Sequence, residues 1–279
     1  MSQRSVLITG CSSGIGRALA DEFQAAGYQV WATARREDDL ARLQQAGFNA
    51  VRLDVDDSAS INSLANLLQE RLGGLDVLIN NAGYGAMGPL LDGGATAMRR
   101  QFETNVFALV AITRALFPLL RRNEGLVVNI GSVSALLVTP FAGAYCASKA
   151  AVHALSDALR LELAPFSIGV MEVQPGAIES AFGTQASRQA EQLISEQSPW
   201  WPAREGIRAR AMASQDNPTP ASHVARNVLA AVASRKRPRI LRVGNGSLAL
   251  PLLARLLPGA LLDKVLRRRF GLQASLYKR

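Results

Sequence analysis

The stretch Ser5-Val-Leu-Ile-Thr-Gly10-Cys-Ser-Ser-Gly14-Ile-Gly16 runs from an apolar segment into three closely spaced glycines. Its aliphatic residues predict a buried strand, and the apolar spacing of residues 17–26 predicts a helix directly after the glycines. A glycine-rich turn between a strand and a helix lets the backbone approach a phosphate at the positively polarised start of the helix. The stretch therefore predicts a dinucleotide-binding unit, although an ordinary turn would also use such glycines.

Short apolar runs and helical segments alternate through the following part of the chain. The predicted strands cover residues 29–34, 50–53, 75–79, 125–130 and 169–174, and one intervening helix covers residues 58–72. This alternation is typical of right-handed βαβ units, which build a parallel sheet with helices on both faces. We therefore predict the α/β class, with a doubly wound parallel sheet (Rossmann fold) in a single domain at residues 1–246 and a helical tail at residues 247–279.

The net charge of +9 at pH 7 is concentrated in the last part of the chain. Residues 235–279 hold twelve Lys and Arg and one acid, a balance of +11, and the preceding residues hold nineteen basic and twenty-one acidic side chains, a balance of −2. A body near neutrality argues against nucleic-acid binding, which needs a basic surface on the fold itself.

Cysteine and histidine are scarce in this chain of 279 residues. Cys11, Cys146, His153 and His223 show no metal-ligand spacing, so we expect no metal site and a packing role for both cysteines. The first residues lack the apolar segment and cleavage site of a signal peptide, which predicts a cytoplasmic protein.

The second predicted strand ends in Arg35-Arg36, where a dinucleotide fold meets the adenosine ribose. An NAD enzyme usually places an acid there to bind the ribose hydroxyls, whereas arginine can bind a 2′-phosphate through several donors. Arg35 and Arg36 therefore favour NADP(H) over NAD(H). The alternative is that both arginines simply begin a solvated helix.

A phenol, an ammonium group and a hydroxyl occur close together in Tyr145, Lys149 and the nearby Ser132. Residues four apart share one face of a helix, so the phenol and the ammonium group of the pair can be neighbours. A positive charge beside a tyrosine favours its phenolate and lowers its pKa toward working pH. The three groups predict an acid/base site, although a Tyr and a Lys four apart could also arise by chance.

Taken together, these motifs resemble those of the short-chain dehydrogenase/reductase family, in its order and near its spacing, over residues 5–245. The matching pieces are Thr9-Gly10-x-x-x-Gly14-Ile15-Gly16, Asp54-Val55, Asn80-Asn81-Ala82-Gly83, Asn105, Ser132, Tyr145-x-x-x-Lys149 and Pro175-Gly176-x-Ile178. The resemblance implies an oxidoreductase that acts on CH–OH donors with a nicotinamide cofactor.

The resemblance also implies a role for each catalytic residue. Tyr145 would be the general acid in carbonyl reduction and the base in alcohol oxidation, and Ser132 would hydrogen-bond the substrate oxygen. Lys149 would hold the nicotinamide ribose and favour the phenolate, and Asn105 would hold a water that links Lys149 to solvent. Cofactor contacts are expected from Gly10, Ser12, Ser13, Gly14, Ile15, Gly16, Arg35, Arg36, Asp54, Val55, Asn81, Ala82, Gly83, Tyr145, Lys149, Pro175, Gly176, Ile178 and Ser180.

Two positions depart from the family's pattern. Ser13 stands where many NADP-dependent members carry a basic residue, so only the two arginines at residues 35 and 36 remain to hold the phosphate. Ser180 stands where many members have Thr, which keeps the hydroxyl.

Residues 179–220 lose clear periodicity, and in the family this region is a mobile lid over the substrate. The aromatic residues of this region and of nearby loops predict an apolar substrate wall, although ordinary core packing is the alternative for each, and Trp200-Trp201 could form a partner contact. Substrate contacts are expected from Ser132, Tyr145, Tyr84, Val138, Phe141 and Phe182, with Leu136 beside them.

The tail alternates leucine-rich and arginine-rich pieces between residues 247 and 270. Arg255 and Pro258 interrupt its apolar run, which falls short of the roughly 20 residues that a spanning helix needs. Its apolar faces, flanked by basic residues, could lie in the interface of an anionic bilayer, or pack on the protein's own body or a second subunit. The tail also resembles that of NADP-dependent aldehyde reductases and of retinol or hydroxysteroid dehydrogenases in the family.

We therefore predict an NADP(H)-dependent oxidoreductase that interconverts an apolar aldehyde or ketone and its alcohol. One alternative is a hydroxysteroid or retinol dehydrogenase working mainly in oxidation, and another is a non-enzymatic NADP-sensing protein. Family members pair through the helices that bear Asn105 and Tyr145, which implies a homodimer or homotetramer.

Overall fold

A computed structural model describes residues 3–277. Seven strands form one parallel sheet in the order β3-β2-β1-β4-β5-β6-β7. The strands are β1 (Ser5–Ile8), β2 (Gln29–Ala34), β3 (Asn49–Arg52), β4 (Val77–Asn80), β5 (Leu126–Ile130), β6 (Gly169–Pro175) and β7 (Ile240–Val243). The predicted doubly wound sheet is confirmed. The edge strand β7, which is only partly buried and carries Arg242, was not predicted.

Eleven α-helices connect and cover the strands within the described residues. They are α1 (Gly14–Ala25), α2 (Glu37–Gln45), α3 (Ser58–Arg71), α4 (Leu90–Phe102), α5 (Ala108–Arg122), α6 (Gly143–Glu162), α7 (Phe182–Leu193), α8 (Arg204–Met212), α9 (Ala221–Ala233), α10 (Ala249–Leu256) and α11 (Gly259–Arg269). A short π-helix, Glu103–Phe107, joins α4 to α5.

The first strand is buried on both faces, as its uninterrupted apolar sequence predicts. Val6 and Ile8 enter a core that also contains Phe23 of α1, while Leu7 enters a second core on the other face, with Leu68 of α3. Successive strand residues point to opposite faces, so one four-residue strand supports both helical layers.

The order of the strands reverses between β1 and β4. From β1 the chain continues to β2 and β3 on one side of the sheet, and from β4 it continues to β5, β6 and β7 on the other side. Ligands of open parallel sheets bind in the crevice at such a switch point, beyond the carboxyl ends of the strands. The glycine-rich turn follows β1 and Asn81 follows β4, so the fold brings these two predicted binding segments together.

The continuous helical segment Leu90–Arg122 is long and apolar enough to cross a membrane by length and composition alone. Half of its apolar window is buried within the protein, and it packs against α3, β4 and α6. A buried core helix passes the same test of length and composition.

The tail folds into α10 and α11 and returns to the body of the protein. Phe270, directly after α11, is only 6% exposed and packs in a small core with Ile207 of α8. The carbonyl of Phe270 also lies so close to Gly206 that an added Cβ there would meet its oxygen at 2.0 Å. The sequence left three surfaces open for the tail: a membrane, the protein's own body or a second subunit. The side of the tail that carries Phe270 packs on the protein's own body.

Candidate active site

The glycine-rich turn links β1 to α1 at one end of a cleft. Gly10 and Gly14 have φ angles of +71° and +59°, a conformation that costs other residues free energy, and Ser180 lies above Gly14. A Cβ at Gly16 would meet the Gly10 carbonyl oxygen at 2.2 Å, so the turn closes tightly onto the first helical residues. The turn therefore presents backbone N–H groups at the start of a helix.

The segment after β4 is tied to this turn by a set of hydrogen bonds. The Asn81 Nδ2 donates to the carbonyl oxygens of Thr9 and Gly10 at 2.8 and 3.0 Å. The Thr9 hydroxyl accepts from the backbone nitrogens of Asn81 and Ala82, both at 2.9 Å. The side chain of Asn81 thus holds the segment after β4 against the glycine-rich turn after β1. Asn81, Ala82 and Gly83 also line the cleft.

Arg35 lies on the rim of the cleft at the end of β2, together with Asp54 and Val55 at the end of β3. Arg36 does not line the cleft. It precedes α2, and its largely exposed side chain lies 3.4 Å from the Asp38 carboxylate. The structure thus brings only one of the two arginines to the predicted phosphate position.

Tyr145 and Ser132 lie together on the cleft wall, and both are buried. The Ser132 oxygen also accepts a hydrogen bond from the Ser134 backbone nitrogen at 3.1 Å, which fixes the hydroxyl. Burial raises the pKa of Tyr145, while the hydrogen bond from Ser132 and the charge of Arg210 oppose that rise. The net direction is opposite to the lowering that the sequence predicts, because burial outweighs the nearby positive charge.

Lys149 lies one helical turn after Tyr145 on α6 and is also buried on the cleft wall. Its Nζ donates to the Ile130 carbonyl oxygen at 2.7 Å, leaving two further donors for other partners. Burial lowers the pKa of Lys149 to about 8, and the negative charge of Glu172 acts against this shift. The lysine is therefore more easily deprotonated than an exposed lysine.

Asn105 lies in the π-helix between α4 and α5, a local widening that is frequent at functional sites. Its Oδ1 accepts from the Tyr84 backbone nitrogen at 3.1 Å, and its Nδ2 donates to the Tyr84 carbonyl oxygen and the Ser148 hydroxyl. Both amide protons are thus engaged, and the side chain positions the Tyr84 segment and α6. The side chain does not line the cleft, so a water-holding role would fall to the backbone of this turn.

The other end of the cleft is formed by the predicted lid and by the tail. The whole cleft encloses about 1210 Å³. The ring of Phe182, at the start of α7, lies 5.4 Å from the Tyr145 ring between centroids. The lid and the tail also contribute Gln185, Arg188, Gln189, Arg210, Leu250, Leu253, Val265, Leu266 and Phe270, and the loops after β4 and β5 contribute Tyr84, Leu137 and Thr139.

Two predicted substrate residues do not line this cleft. Val138 is 60% exposed and does not contribute to the wall, whereas its neighbours Leu137 and Thr139 do. Phe141 adopts a φ of +62° and packs in the core behind Tyr145. Leu136, Trp200 and Trp201 are also absent from the described wall.

The family model described as short chain dehydrogenase matches residues 4–191 of this chain. The chain belongs to the short-chain dehydrogenase family. Members of this family are oxidoreductases that use a nicotinamide cofactor. A cofactor-binding glycine turn and an acid/base set of Tyr145, Lys149 and Ser132 in one cleft agree with that chemistry.

Curated relatives in the family include two that match over most of the chain. An uncharacterized oxidoreductase, YbbO, of Escherichia coli K12 is 37% identical over 270 residues, covering 95% of this chain and 94% of the relative. The NADPH-dependent 1-acyldihydroxyacetone phosphate reductase of Schizosaccharomyces pombe is 35% identical over 209 residues, covering 74% of this chain and 71% of the relative.

Solved structures of short-chain dehydrogenases share the fold. One from Streptomyces avermitilis has a TM-score of 0.78 at 31% identity, covering 99% of this chain and 97% of that one. One from Burkholderia phymatum in complex with NAD has a TM-score of 0.76 at 28% identity, covering 91% and 92%. These neighbours support binding of a nicotinamide cofactor.

The cleft of this short-chain dehydrogenase fits a nicotinamide dinucleotide. Its glycine turn leaves backbone N–H groups free of side chains for a pyrophosphate, and Asp54, Pro175, Gly176 and Ile178 line the route from the rim to Tyr145. The wall also includes Ser12, Ser13, Gly14, Ile15 and Ser180. When bound, the nicotinamide would supply or take the hydride, and the protein would supply position and protons.

Two residues near the reacting groups were missed from the sequence. Glu172 on β6 is buried, and its Oε2 lies 2.6 Å from the His153 Nδ1, while its Oε1 has no hydrogen-bond partner among the described residues. Arg210 on α8 is buried in the cleft wall. Neither stands in a recognisable motif, because the first is inside a strand and the second in a lid with weak periodicity.

Proposed function

We propose that this short-chain dehydrogenase catalyses reversible, NADP(H)-dependent reduction of an apolar aldehyde or ketone to its alcohol. The observation that carries the proposal is the placement of Tyr145, Ser132 and Lys149 on one wall of a cleft that begins at the glycine turn. In reduction, the Tyr145 hydroxyl donates its proton to the carbonyl oxygen as negative charge develops there, and Ser132 stabilises that oxygen by a hydrogen bond.

Lys149 is suited to hold a ribose hydroxyl and to return a proton to Tyr145. Its ammonium group keeps two donors beyond the bond to Ile130. The charged ammonium favours the phenolate that forms when Tyr145 has given up its proton. Because the pKa of Lys149 is about 8, its proton is easily exchanged near neutral pH.

NADP(H) is favoured over NAD(H) by the arginine on the cleft rim. Arg35 stands where an NAD-binding fold usually places an acid, and it can bind the 2′-phosphate. The NADPH-dependent yeast relative agrees with this preference, whereas the Burkholderia neighbour was solved with NAD.

An apolar substrate is favoured by the far wall of the cleft. Phe182, Leu137, Leu253 and Leu266 line it beyond Tyr145. Aliphatic aldehydes, retinal and steroid ketones are therefore the substrates to test. The second candidate function is net oxidation of a hydroxysteroid or of retinol, whose apolar body the same wall would contact. An NADP-sensing protein would have no use for the complete acid/base set.

Nicotinamide absorbance with long-chain aldehydes, retinal and steroids tests the proposal. We expect turnover by the wild type, and a fall in kcat/KM of about a hundredfold or more in Tyr145→Phe, since the general acid is lost. Tyr28→Phe is the matched control, because Tyr28 packs against Phe23 in the core and should leave activity unchanged. Equal activity of the wild type and Tyr145→Phe would overturn the mechanism, and absence of turnover throughout would favour the sensor.

We also propose a cytoplasmic homodimer or homotetramer that pairs through the outer faces of α5 and α6. Three exposed apolar residues support this pairing: Phe107 at the end of the π-helix that leads into α5, Val110 on α5 and Leu161 on α6. Burial of such side chains is a usual driving force of obligate pairing.

The outer face of the tail supports peripheral contact with an anionic membrane surface. Leu252, Leu256 and Leu261 are exposed on α10 and α11, beside Arg255 and Arg267-Arg268-Arg269. Flotation of the full chain with phosphatidylserine vesicles, against a variant with all three leucines changed to Glu, tests the contact. Equal flotation of both proteins would refute it.

A further inference from the structure

Arg210 is a buried cation in the substrate half of the cleft. It is 8% exposed on α8 and contributes to the cleft wall. Its Nε donates to the Thr139 hydroxyl at 2.5 Å. Arg204 and Arg208 on the same helix face solvent and pair with acids, Arg208 with both Glu191 and Glu205 at 2.7 Å.

Within residues 3–277, no carboxylate forms an ion pair with Arg210. A buried charge without a counter-ion is costly, whereas burial of one with a well-oriented partner is tolerated. Burial lowers the pKa of Arg210, but a guanidinium remains protonated in proteins. The Nε of Arg210 is bonded to Thr139, and its guanidinium also faces the Cys146 thiol. Neither partner is an anion, so the terminal nitrogens remain suited to two-point binding of a carboxylate or phosphate.

Arg210 lines the same cleft as the reacting group Tyr145, and its charge opposes part of the rise that burial causes in the pKa of Tyr145. Arg188 and Arg269 also reach the wall, but both are exposed at the rim. Among the arginines that line the cleft in the described part of the chain, Arg210 is therefore the one whose side chain is buried.

We propose that Arg210 binds an anionic group of the substrate, so that the substrate is an apolar carbonyl compound with a carboxylate or phosphate close to its carbonyl. The inference rests on the proposed carbonyl reduction and narrows its substrate class. In this arrangement the anion neutralises Arg210, the carbonyl lies at Tyr145 and Ser132, and the alkyl chain extends along Phe182 and Leu266. Arg210 is then a specificity-determining residue.

The competing explanation is a structural one, in which Arg210 only ties α8 to the loop of Thr139. The two explanations differ in the dependence on substrate charge. Loss of a tether would impair neutral and anionic substrates alike, whereas loss of an anion site would impair only the anionic ones.

The activity test compares matched substrates of equal chain length. Long-chain α-keto and γ-keto acids are measured against their methyl esters, and a long-chain α-hydroxy ketone phosphate is measured against the free hydroxy ketone. We expect the wild type to prefer at least one anionic member by about tenfold or more in kcat/KM, and Arg210→Met to lose this preference. Arg210→Lys should retain part of it, since it keeps the charge but not the two-point geometry.

Arg208→Met is the matched control, because it removes an arginine from the same helix and would reproduce any loosening of the lid. It should leave the preference for the anionic substrate unchanged. The comparison of keto acids with the phosphate identifies which anion the site takes.

A binding measurement decides the inference without turnover. Quenching of tryptophan fluorescence by decanoate, decyl phosphate and decanol is titrated in the wild type, Arg210→Met and Arg208→Met. Weaker binding of an anionic probe in Arg210→Met alone would support the site, and equal binding in all three proteins would overturn it. If neutral ketones are turned over but all three proteins bind the anionic probes equally, the anion site is overturned and the proposed carbonyl reduction still holds.

Discussion

Lys149 on α6 and Glu172 on β6 are both buried, and the charge of the carboxylate partly offsets the effect of burial on the pKa of the ammonium group. The sequence identifies Lys149 through its spacing to Tyr145, but it carries no sign of Glu172, because a carboxylate inside a buried strand is recognised only once α6 is packed against β6. The same is true of Arg210. The sequence therefore predicted the residues that belong to motifs, such as Lys149. It did not predict Glu172 and Arg210, whose charges reach the motif residues from other strands and helices.

The pH dependence of activity should report on this buried pair. The pKa of Lys149 is lowered from its ordinary value to about 8, so the ammonium form is lost as pH rises through that value, and kcat/KM for reduction should fall there. Glu172→Gln removes the charge that favours the ammonium form, so the fall should begin at lower pH. The pH profile of kcat/KM measures the shift.

Asp157→Asn is the control for this change, because Asp157 lies on the solvent side of α6 and pairs with Arg239. Its pH profile should coincide with that of the wild type. An unshifted alkaline limb in Glu172→Gln would show that the carboxylate does not act on Lys149.

The two arginines after β2 differ in placement and should differ in effect. Arg35→Ala should reduce the preference for NADPH over NADH by about ten- to a hundredfold, since charge-assisted hydrogen bonds contribute about 1.5–3 kcal/mol. Arg36→Ala should leave the preference unchanged, because Arg36 pairs with Asp38 away from the cleft. Ratios of kcat/KM for the two cofactors provide the measurement, and NADH winning in the wild type would refute the NADP assignment.

Among the elements, the strands were predictable and the lid helices were not. Uninterrupted apolar runs such as residues 5–8 indicate strands buried on both faces, and five of the seven strands, all except β3 and β7, are buried in this way. The buried face of α7 consists of the small residues Gly183, Ala186 and Ala190, and that of α8 includes the charged Arg210. Neither face produces the apolar periodicity from which a helix is normally recognised.

Phe270 is the buried aromatic side chain through which the tail packs against α8, together with Leu266. Phe270→Ala should loosen α11 from α8, since truncation of a buried Phe costs about 3–5 kcal/mol. We expect faster proteolysis within the tail and a higher KM for apolar carbonyl substrates, with affinity for the cofactor unchanged. Leu256→Ala, at an exposed position of α10, should change none of these, and an unaltered KM in Phe270→Ala would show that the tail is not part of the substrate wall.

For the whole molecule, the sequence predicted the architecture because the alternation of strands and helices leaves few topologies. It did not predict that the tail closes one side of the cleft, since Leu266 and Phe270 meet α8 only after the chain has passed through some sixty residues of lid and edge strand. Long-range packing of this kind has no local signature.

Assembly should depend on the face that Phe107 presents. Phe107 is 54% exposed at the end of the π-helix. Phe107→Glu should convert the assembly to monomers by light scattering during gel filtration, because burying an unpaired carboxylate at an apolar interface is costly. Leu256→Glu should leave the mass unchanged, and a wild type that is already monomeric would contradict the proposed pairing.

The division of the cleft wall along the chain has a consequence for how such proteins diversify. Cofactor-facing and proton-transferring residues fall almost entirely between Gly10 and Ser180, whereas much of the opposite wall comes from Phe182 onward. Recombination of gene segments near that boundary would join one catalytic half to a different specificity half, as long as α9 still packs on α1 and β7 still pairs with β6. Chimaeras exchanged there between family members are thus a direct route to new substrate ranges.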